Sequence, residues 1–325
     1  MAKAIRFHTT GDAEVLSWEE VPVTPPAAHE AQVRHTAVGL NFIDVYHRSG
    51  VYPVAALPSG IGLEAAGVVE ALGADVTELA VGDRVAYASP PLGAYAEVRC
   101  IAADRLVKLP DKIDDQTAAA MMLQGMTAQY LLRQTYRVQA GDTVLMHAAA
   151  GGVGLVLCQW AKYLGATVIG TVGNEEKATL ARDHGCDHTI VYTREDFSEG
   201  VRELTDGDGV QVVYDGIGKD TFFGSLDCLA RRGMMVSFGN ASGQAPAITP
   251  AELGKRGSLF LTRPSLMDYT VTREETERAA ADLFEVVQAG AVSINIKQTY
   301  PLAKAADAHR DLEARKTVGS SVLLP

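Results

Sequence analysis

Between Thr143 and Val172 the spacing of apolar positions changes twice. Thr143-Val144-Leu145-Met146 is a short apolar run opening on a β-branched residue, as in a buried strand. After a stretch of small residues, Val153, Val156, Leu157, Trp160 and Leu164 fall on one helical face, and Gly165 supplies a stop. Residues 166–172 then form a second run with little alternation, which suits a parallel sheet covered on both faces. The alternation continues downstream. Residues 175–184 predict a helix stopped by Gly185, and residues 188–192 a third strand. Thr193 with Asp196 predicts a capping pair for the next helix. Residues 210–215, 234–239 and 258–262 complete six strands, the number expected for two mononucleotide-binding halves of a doubly wound sheet.

The flanks have a different texture. Strands are predicted at 31–38, 67–72 and 83–88, with turns at Pro22, Pro25, Pro26, Pro53, Pro58, Pro90 and Pro91, which gives an irregular β-rich unit. Residues 116–133 are rich in alanine, methionine and leucine and predict two helices broken at Gly125. Beyond the sixth strand come a helix over 273–289, a strand at 296–300, a helix over 303–314 and a strand at 321–324. This tail is expected to rejoin the N-terminal unit. The predicted division is 1–125, 126–265 and 266–325, with the fold class α/β.

Composition narrows the function classes. The chain has 325 residues, 47% of them apolar, and a formal net charge of −11. That charge disfavours non-specific nucleic-acid binding, which needs a basic face. No apolar run approaches the roughly 18 residues of a membrane helix, and the first residues lack the apolar core of a signal peptide. Cys100, Cys158, Cys186 and Cys228 are far apart and form no CxxC pair. No disulfide framework or zinc knuckle is predicted, and a reducing, cytoplasmic setting is expected.

The chemistry enters at the turn between the first two strands of the alternating region. Ala149, Gly151 and Gly154 have the spacing of the dinucleotide fingerprint GxGxxG, with alanine in the first place. Small residues let the backbone turn sharply and approach a pyrophosphate, and the N–H groups of the following helix face the anion. Such glycine spacing is common by itself, but here it lies between a strand and a helix with a second strand after them. Gly151, Gly152 and Val153 are the expected pyrophosphate contacts.

Several stretches together resemble a known family. They are Gly39-Leu40-Asn41-Phe42-Ile43-Asp44, Arg48-Ser49-Gly50-Val51-Tyr52-Pro53, Gly62-Leu63-Glu64-Ala65-Ala66-Gly67, Gly82-Asp83-Arg84-Val85, 148–154 and Val236-Ser237-Phe238-Gly239-Asn240. The chain resembles the zinc-free NADPH:quinone oxidoreductases of the ζ-crystallin type, in the medium-chain dehydrogenase/reductase superfamily. The resemblance implies a Rossmann domain inserted into a GroES-like catalytic domain, NADPH as cofactor, and a homodimer. The dimer is expected through the edge strand 258–262. Zinc-dependent relatives carry a cysteine where Asn41 stands and a histidine where Leu63 stands, and neither replacement is a suitable zinc ligand. No metal site is therefore expected. Without a Lewis acid, alcohol oxidation gives way to an easier acceptor, a quinone or an activated alkene.

The resemblance also assigns residues. Asn41, Tyr46 and Tyr52 are the candidates on the substrate side, as donors to a developing oxyanion or of a proton. His47, next to Tyr46, is expected to be an exposed helix histidine rather than a proton relay, and Asp44 to orient its neighbours or touch ribose. Asn41, Phe42, Asp44, Thr127, Tyr130, Phe238, Gly239, Asn240, Arg263, Pro264 and Ser265 are expected along the cofactor. Gly173 and Asn174 end the second strand. Lys177 and Tyr192 resemble a 2′-phosphate pocket, with Arg315 or Lys316 as a further cation, whereas Glu175 or Glu176 would suit the free ribose hydroxyl of NADH. Three readings stand beside the quinone reductase: an enone or alkenal double-bond reductase, a nucleotide-sensing or RNA-binding protein with a retained cofactor pocket, and a structural protein with a vestigial one.

Overall fold

The computed structural model describes residues 1–325, which divide into two compact units. One comprises Met1–Met126, Thr270–Gln288 and Ile294–Pro325; the other comprises Thr127–Tyr269 and Ala289–Ser293. Residues 266–269 and the turn at 289–293 thus pack with the second unit, and the chain returns to the first at Thr270.

The second unit is a six-stranded parallel sheet. Its spatial order is His188–Val191, Thr167–Val172, Thr143–His147, Val210–Asp215, Leu229–Ser237, Phe260–Thr262. Numbered along the chain this is 3-2-1-4-5-6, the order of a Rossmann sheet. Val144, Leu145, Val168, Ile169, Val212 and Val213 are wholly buried, as expected where helices cover both faces. Strand order reverses between Thr143–His147 and Val210–Asp215, and ligands bind beyond the carboxyl ends of strands at such a reversal. The small-residue turn after His147 occupies that position.

The first unit is GroES-like. Its larger sheet runs Ile296–Pro301, Ser320–Leu324, Glu30–Leu40, Glu64–Leu72, Arg84–Ala88, Val107–Lys108, with Val98–Ala102 also paired to Glu30–Leu40. A smaller sheet joins Leu16–Val21, Ala2–Phe7 and Ser59–Gly60. The last strand pairs antiparallel with the end of Glu30–Leu40, setting Ser321 against Leu40 and Val322 against Gly39. This brings the chain's C-terminal residues beside the start of the helix Phe42–Ser49.

Three local expectations need correction. Gly125 does not break a helix: Asp115–Ala119 and Met122–Tyr130 are separated at Ala120-Met121, and Gly125 lies inside the second. A Cβ there would come within 2.5 Å of the Leu283 side chain, so the glycine serves close packing. Thr193 does not cap the helix Phe197–Leu204. Asp196 does so alone, accepting from the Ser198 and Glu199 N–H groups, while Thr193 Oγ1 donates to Gly173 O. The fifth strand begins at Leu229, and Ser258, at φ +60°, precedes the sixth.

Candidate functional site

In the first unit the substrate-side candidates gather around the start of the helix Phe42–Ser49. Asn41 is its N-terminal cap, and Asp44 Oδ2 accepts from the Asn41 N–H at 2.9 Å. Helical spacing sets Phe42 edge-on to Tyr46, with ring centroids 5.3 Å apart, and Tyr46 meets Tyr52 at 5.0 Å. The Tyr52 N–H also donates to Tyr46 O at 3.0 Å, which fixes the turn after the helix. Tyr46 and Tyr52 therefore belong to one aromatic cluster, on the helix that Asn41 caps. His47 is half-buried rather than exposed, and burial lowers its pKa.

Asp44 is wholly buried. Its Oδ2 also accepts from the Tyr95 hydroxyl at 2.9 Å, and Tyr95 lies 3.2 Å from His309 Nε2. Asp44 is placed to orient Asn41 from beneath and has no exposed surface with which to touch ribose.

The sequence reading passed over Glu64, Gln124 and Ser320 as site residues. Glu64 Oε2 accepts from Asn41 Nδ2 at 2.6 Å, and Oε1 accepts from the Leu123 N–H at 2.8 Å. Gln124 Nε2 donates to Asn41 Oδ1 at 3.1 Å, and Ser320 Oγ donates to Gln124 Oε1 at 2.7 Å. A carboxylate inside the apolar run Gly62-Leu63-Glu64-Ala65-Ala66-Gly67 was the available signal for Glu64. Burial pushes Glu64 up to about 8, a rise only partly offset by the two N–H donors, and pushes Asp44 up to about 7.

These shifts make stability depend on pH. Buried His35, His309 and His147 stay neutral in the fold, with pKa values held down by desolvation, to about 4 and about 3 for the first two. Below about pH 6.5 only the unfolded chain protonates them, so stability rises with pH up to that point. Glu64 and Asp44 behave oppositely. Above about pH 4.5 the unfolded chain loses protons that the fold retains, so stability falls until about pH 8. Above about pH 6.5 the carboxyls act without opposition from the histidines, Asp44 until about pH 7 and Glu64 until about pH 8, each contributing a slope of up to about 1.4 kcal/mol per pH unit. Melting temperature should peak near about pH 6.5, and Glu64→Gln should flatten the alkaline limb. An unchanged limb in that variant contradicts the assignment.

In the second unit, Gly151 caps the helix Gly152–Tyr163, whose first N–H groups have no partner within the helix. Ala148 turns the chain at φ +53°, and a Cβ on Gly154 would lie 2.4 Å from Ala148 O. Asn174 caps the helix Glu175–Asp183, its Oδ1 accepting from the Lys177 N–H at 2.9 Å. A Cβ on Gly173 would lie 3.0 Å from the Tyr192 hydroxyl oxygen, so Gly173, Asn174, Lys177 and Tyr192 share one strand end. Glu175 is paired with Arg194 at 2.7 Å, an exposed contact of small energy.

Asp215 ties together the turns after the fourth and fifth strands. Its carboxylate accepts from the N–H groups of Ile217 and Gly218, and its carbonyl accepts from the Phe238 N–H at 2.8 Å. Gly239 packs on Gly216, where a Cβ would meet Gly216 O at 2.4 Å. Asn240 is half-buried in the same turn. Ser225 bridges Asp215 to His147, which contacts Thr171 at 2.8 Å, forming a buried polar prop beneath the turns. Tyr130 is stacked on Tyr269 at 4.4 Å, and Thr127 is buried on the same helix. Arg263 and Ser265 are exposed around buried Pro264. Lys316, in the first unit, pairs with Asp311 at 3.3 Å.

Comparison with known proteins sets this geometry in a family. Residues 27–111 match the alcohol dehydrogenase GroES-like domain, and residues 152–285 match the zinc-binding dehydrogenase family. A quinone oxidoreductase from Pseudomonas aeruginosa is 54% identical over 325 residues, the full length of both chains. A 2-haloacrylate reductase from a Burkholderia species is 50% identical over 331 residues, covering 100% of this chain and 99% of the other. The crystal structure of Escherichia coli quinone oxidoreductase complexed with NADPH superposes with a TM-score of 0.98 at 49% identity, over all of both chains. The chain belongs to the quinone oxidoreductases of the medium-chain dehydrogenase/reductase superfamily. It is an oxidoreductase.

The family description mentions zinc, and the residues here do not fit it. Nowhere do three or more His, Cys, Asp or Glu side chains cluster as a metal would require. Leu63 is apolar and buried, and Glu64, whose burial favours the protonated form, already accepts two N–H donors. That donor set is unsuited to a divalent cation.

Proposed function

We propose that the protein is an NADPH-dependent quinone reductase that works without zinc. The likeness to an NADPH-complexed quinone oxidoreductase over the whole chain carries this reading. When bound, NADPH supplies the reducing equivalents, and the protein supplies grip, orientation and hydrogen bonds. The N–H groups around Gly151, Gly152 and Val153 hold the pyrophosphate. Lys177 and Tyr192 receive the 2′-phosphate, because Glu175 is engaged by Arg194 and Asn174 by its own helix. The turns at Phe238, Gly239 and Asn240 and at Arg263, Pro264 and Ser265, with Thr127 and Tyr130, line the rest of the cofactor path. Asn41 donates to the oxygen on which charge develops, with Tyr46 and Tyr52 as hydroxyl partners.

The 50% identity to a 2-haloacrylate reductase favours a second reading, reduction of an activated carbon–carbon double bond. An NADPH oxidation assay over quinones, enones and 2-haloacrylate separates the two. Turnover confined to the alkenes refutes quinone reduction. Lys177→Ala should raise KM for NADPH about 10- to 100-fold and leave KM for NADH unchanged, as loss of a charge-assisted contact to one phosphate predicts. Equal changes for both cofactors contradict the 2′-phosphate role.

The same proposal includes a homodimer. The strand Phe260–Thr262 is an open edge of the parallel sheet, with Phe260 54% exposed, and pairing with a second copy covers it. A strict monomer by light scattering at high concentration rules this out. No helix is long and apolar enough to cross a membrane. All four cysteines are free, which suits the reducing cytoplasm. Cell fractionation checks that placement, and recovery in an oxidising compartment refutes it.

A further inference from the structure

Four buried side chains in the first unit form one line: Ser320, Gln124, Asn41 and Glu64. Ser320 Oγ has two acceptors within reach, Gln124 Oε1 at 2.7 Å and Ala120 O at 3.0 Å, but only one hydrogen to give. The two amides between Ser320 and Glu64 each carry a donor at one end and an acceptor at the other. Half a turn of both amides exchanges those ends without moving the line. Every contact within the line is satisfied in either sense, while the turn takes Asn41 Oδ1 away from the Asp44 N–H of the capping box.

With Glu64 ionised, Ser320 donates to Gln124, Gln124 to Asn41, and Asn41 Nδ2 to Glu64. With Glu64 protonated, the order reverses. The Glu64 hydroxyl then donates to Asn41 Oδ1, Asn41 Nδ2 to Gln124 Oε1, Gln124 Nε2 to Ser320 Oγ, and Ser320 to Ala120 O. The Leu123 N–H stays on Glu64 Oε1 throughout. The second N–H of Asn41, which neither neighbour uses, lies on the Glu64 side in one sense and on the Gln124 side in the other.

We propose that Glu64 and Gln124 are positioning residues for Asn41, and that the proton on Glu64 selects the sense in which the Asn41 amide points. This rests on the reading of Asn41 as the oxyanion donor. The surroundings suit a proton that comes and goes near neutral pH. Glu64 feels the Asp44 carboxyl, and it in turn acts on the Tyr87 and Tyr95 hydroxyls. Gly39 of the strand Glu30–Leu40 faces it, and the uncharged Ala88 of the strand Arg84–Ala88 is its pairing partner. No cation is among the groups that shift it, and only N–H donors favour its charged form.

The test uses the full-length protein labelled with 15N on its asparagine side chains. There are only four, Asn41, Asn174, Asn240 and Asn295, and Asn41→Ala identifies the relevant signal. In the wild type the Asn41 NH2 resonances should move between about pH 6 and 9, and kcat should change over the same range. Glu64→Gln should freeze both, because Leu123 needs the Gln oxygen and the Gln NH2 must then face Asn41, as the protonated acid does. Gln124→Glu should freeze them in the same low-pH position, because a carboxylate there accepts from Asn41 Nδ2. It keeps the inference testable if Glu64→Gln fails to fold. Asp44→Asn should shift the midpoint and retain the movement. A wild-type signal that stays still, or one that moves equally in Glu64→Gln and Gln124→Glu, overturns the proposal. If the signal behaves as expected but Asn41→Ala keeps full turnover, the orientation stands and the oxyanion role of Asn41 falls.

Discussion

Asn41→Ala should lower kcat about 10²- to 10³-fold, the usual cost of removing one donor to a developing oxyanion. KM for NADPH should change little, because the turn at 151–153 and the strand end at Gly173 are held by their own backbone contacts. The same substitution removes the Glu64 Oε2 donor and the acceptor for Gln124 Nε2, both buried. A stability loss of about 1–3 kcal/mol should accompany the kinetic one. The two effects are separable by measuring kcat well below the melting temperature of the variant. Tyr46→Phe and Tyr52→Phe should each cost less, because each ring retains its packing on its neighbours. If all three variants keep full turnover, the substrate-side assignment is wrong.

The nucleotide half was legible because local rules and tertiary packing agree there. Each strand is a short apolar run, each helix has one apolar face, and small residues fall where the backbone must turn or touch. Where a local rule competed with packing, the local rule lost. Gly125 reads as a helix break, yet Leu283, distant in sequence, needs the space that a side chain would fill. Thr193 reads as a cap, but Asp196 is nearer the helix and takes both N–H groups. The support of Asn41 was illegible for another reason. Glu64, Gln124 and Ser320 lie 23, 83 and 279 positions away along the chain (64 − 41, 124 − 41, 320 − 41). Ser320 reaches the cluster only because the last strand pairs with the end of Glu30–Leu40. No local period encodes that register. Glu64 alone left a trace, as a charge in an apolar run.

Gly39→Ala should be the most destabilising single methyl in this region. Gly39 faces the Glu64 carboxyl across the paired strands, and a Cβ would lie 2.2 Å from Glu64 Oε2 and 2.3 Å from Ala119 O. The Ala119 carbonyl belongs to backbone at the end of the helix Asp115–Ala119 and cannot rotate aside as a side chain can. Either the helix end lifts from the sheet or Glu64 leaves its two donors, and the second choice strands a buried carboxyl. Overpacking costs about 1–3 kcal/mol, and lost buried hydrogen bonds add about 1–3 kcal/mol. The melting temperature should therefore fall by about 4–24 °C at about 2–4 °C per kcal/mol, or soluble protein should not be recovered. Gly254→Ala is the control. That glycine lies in the helix Pro250–Lys255 with nothing within 4 Å of a new Cβ, and alanine there should be neutral or stabilising by up to about 1 kcal/mol. A Gly39→Ala protein that melts within about 2 °C of the wild type would mean that the carboxyl and the helix end yield freely. The tightly held line from Ser320 to Glu64 would then lose its physical basis.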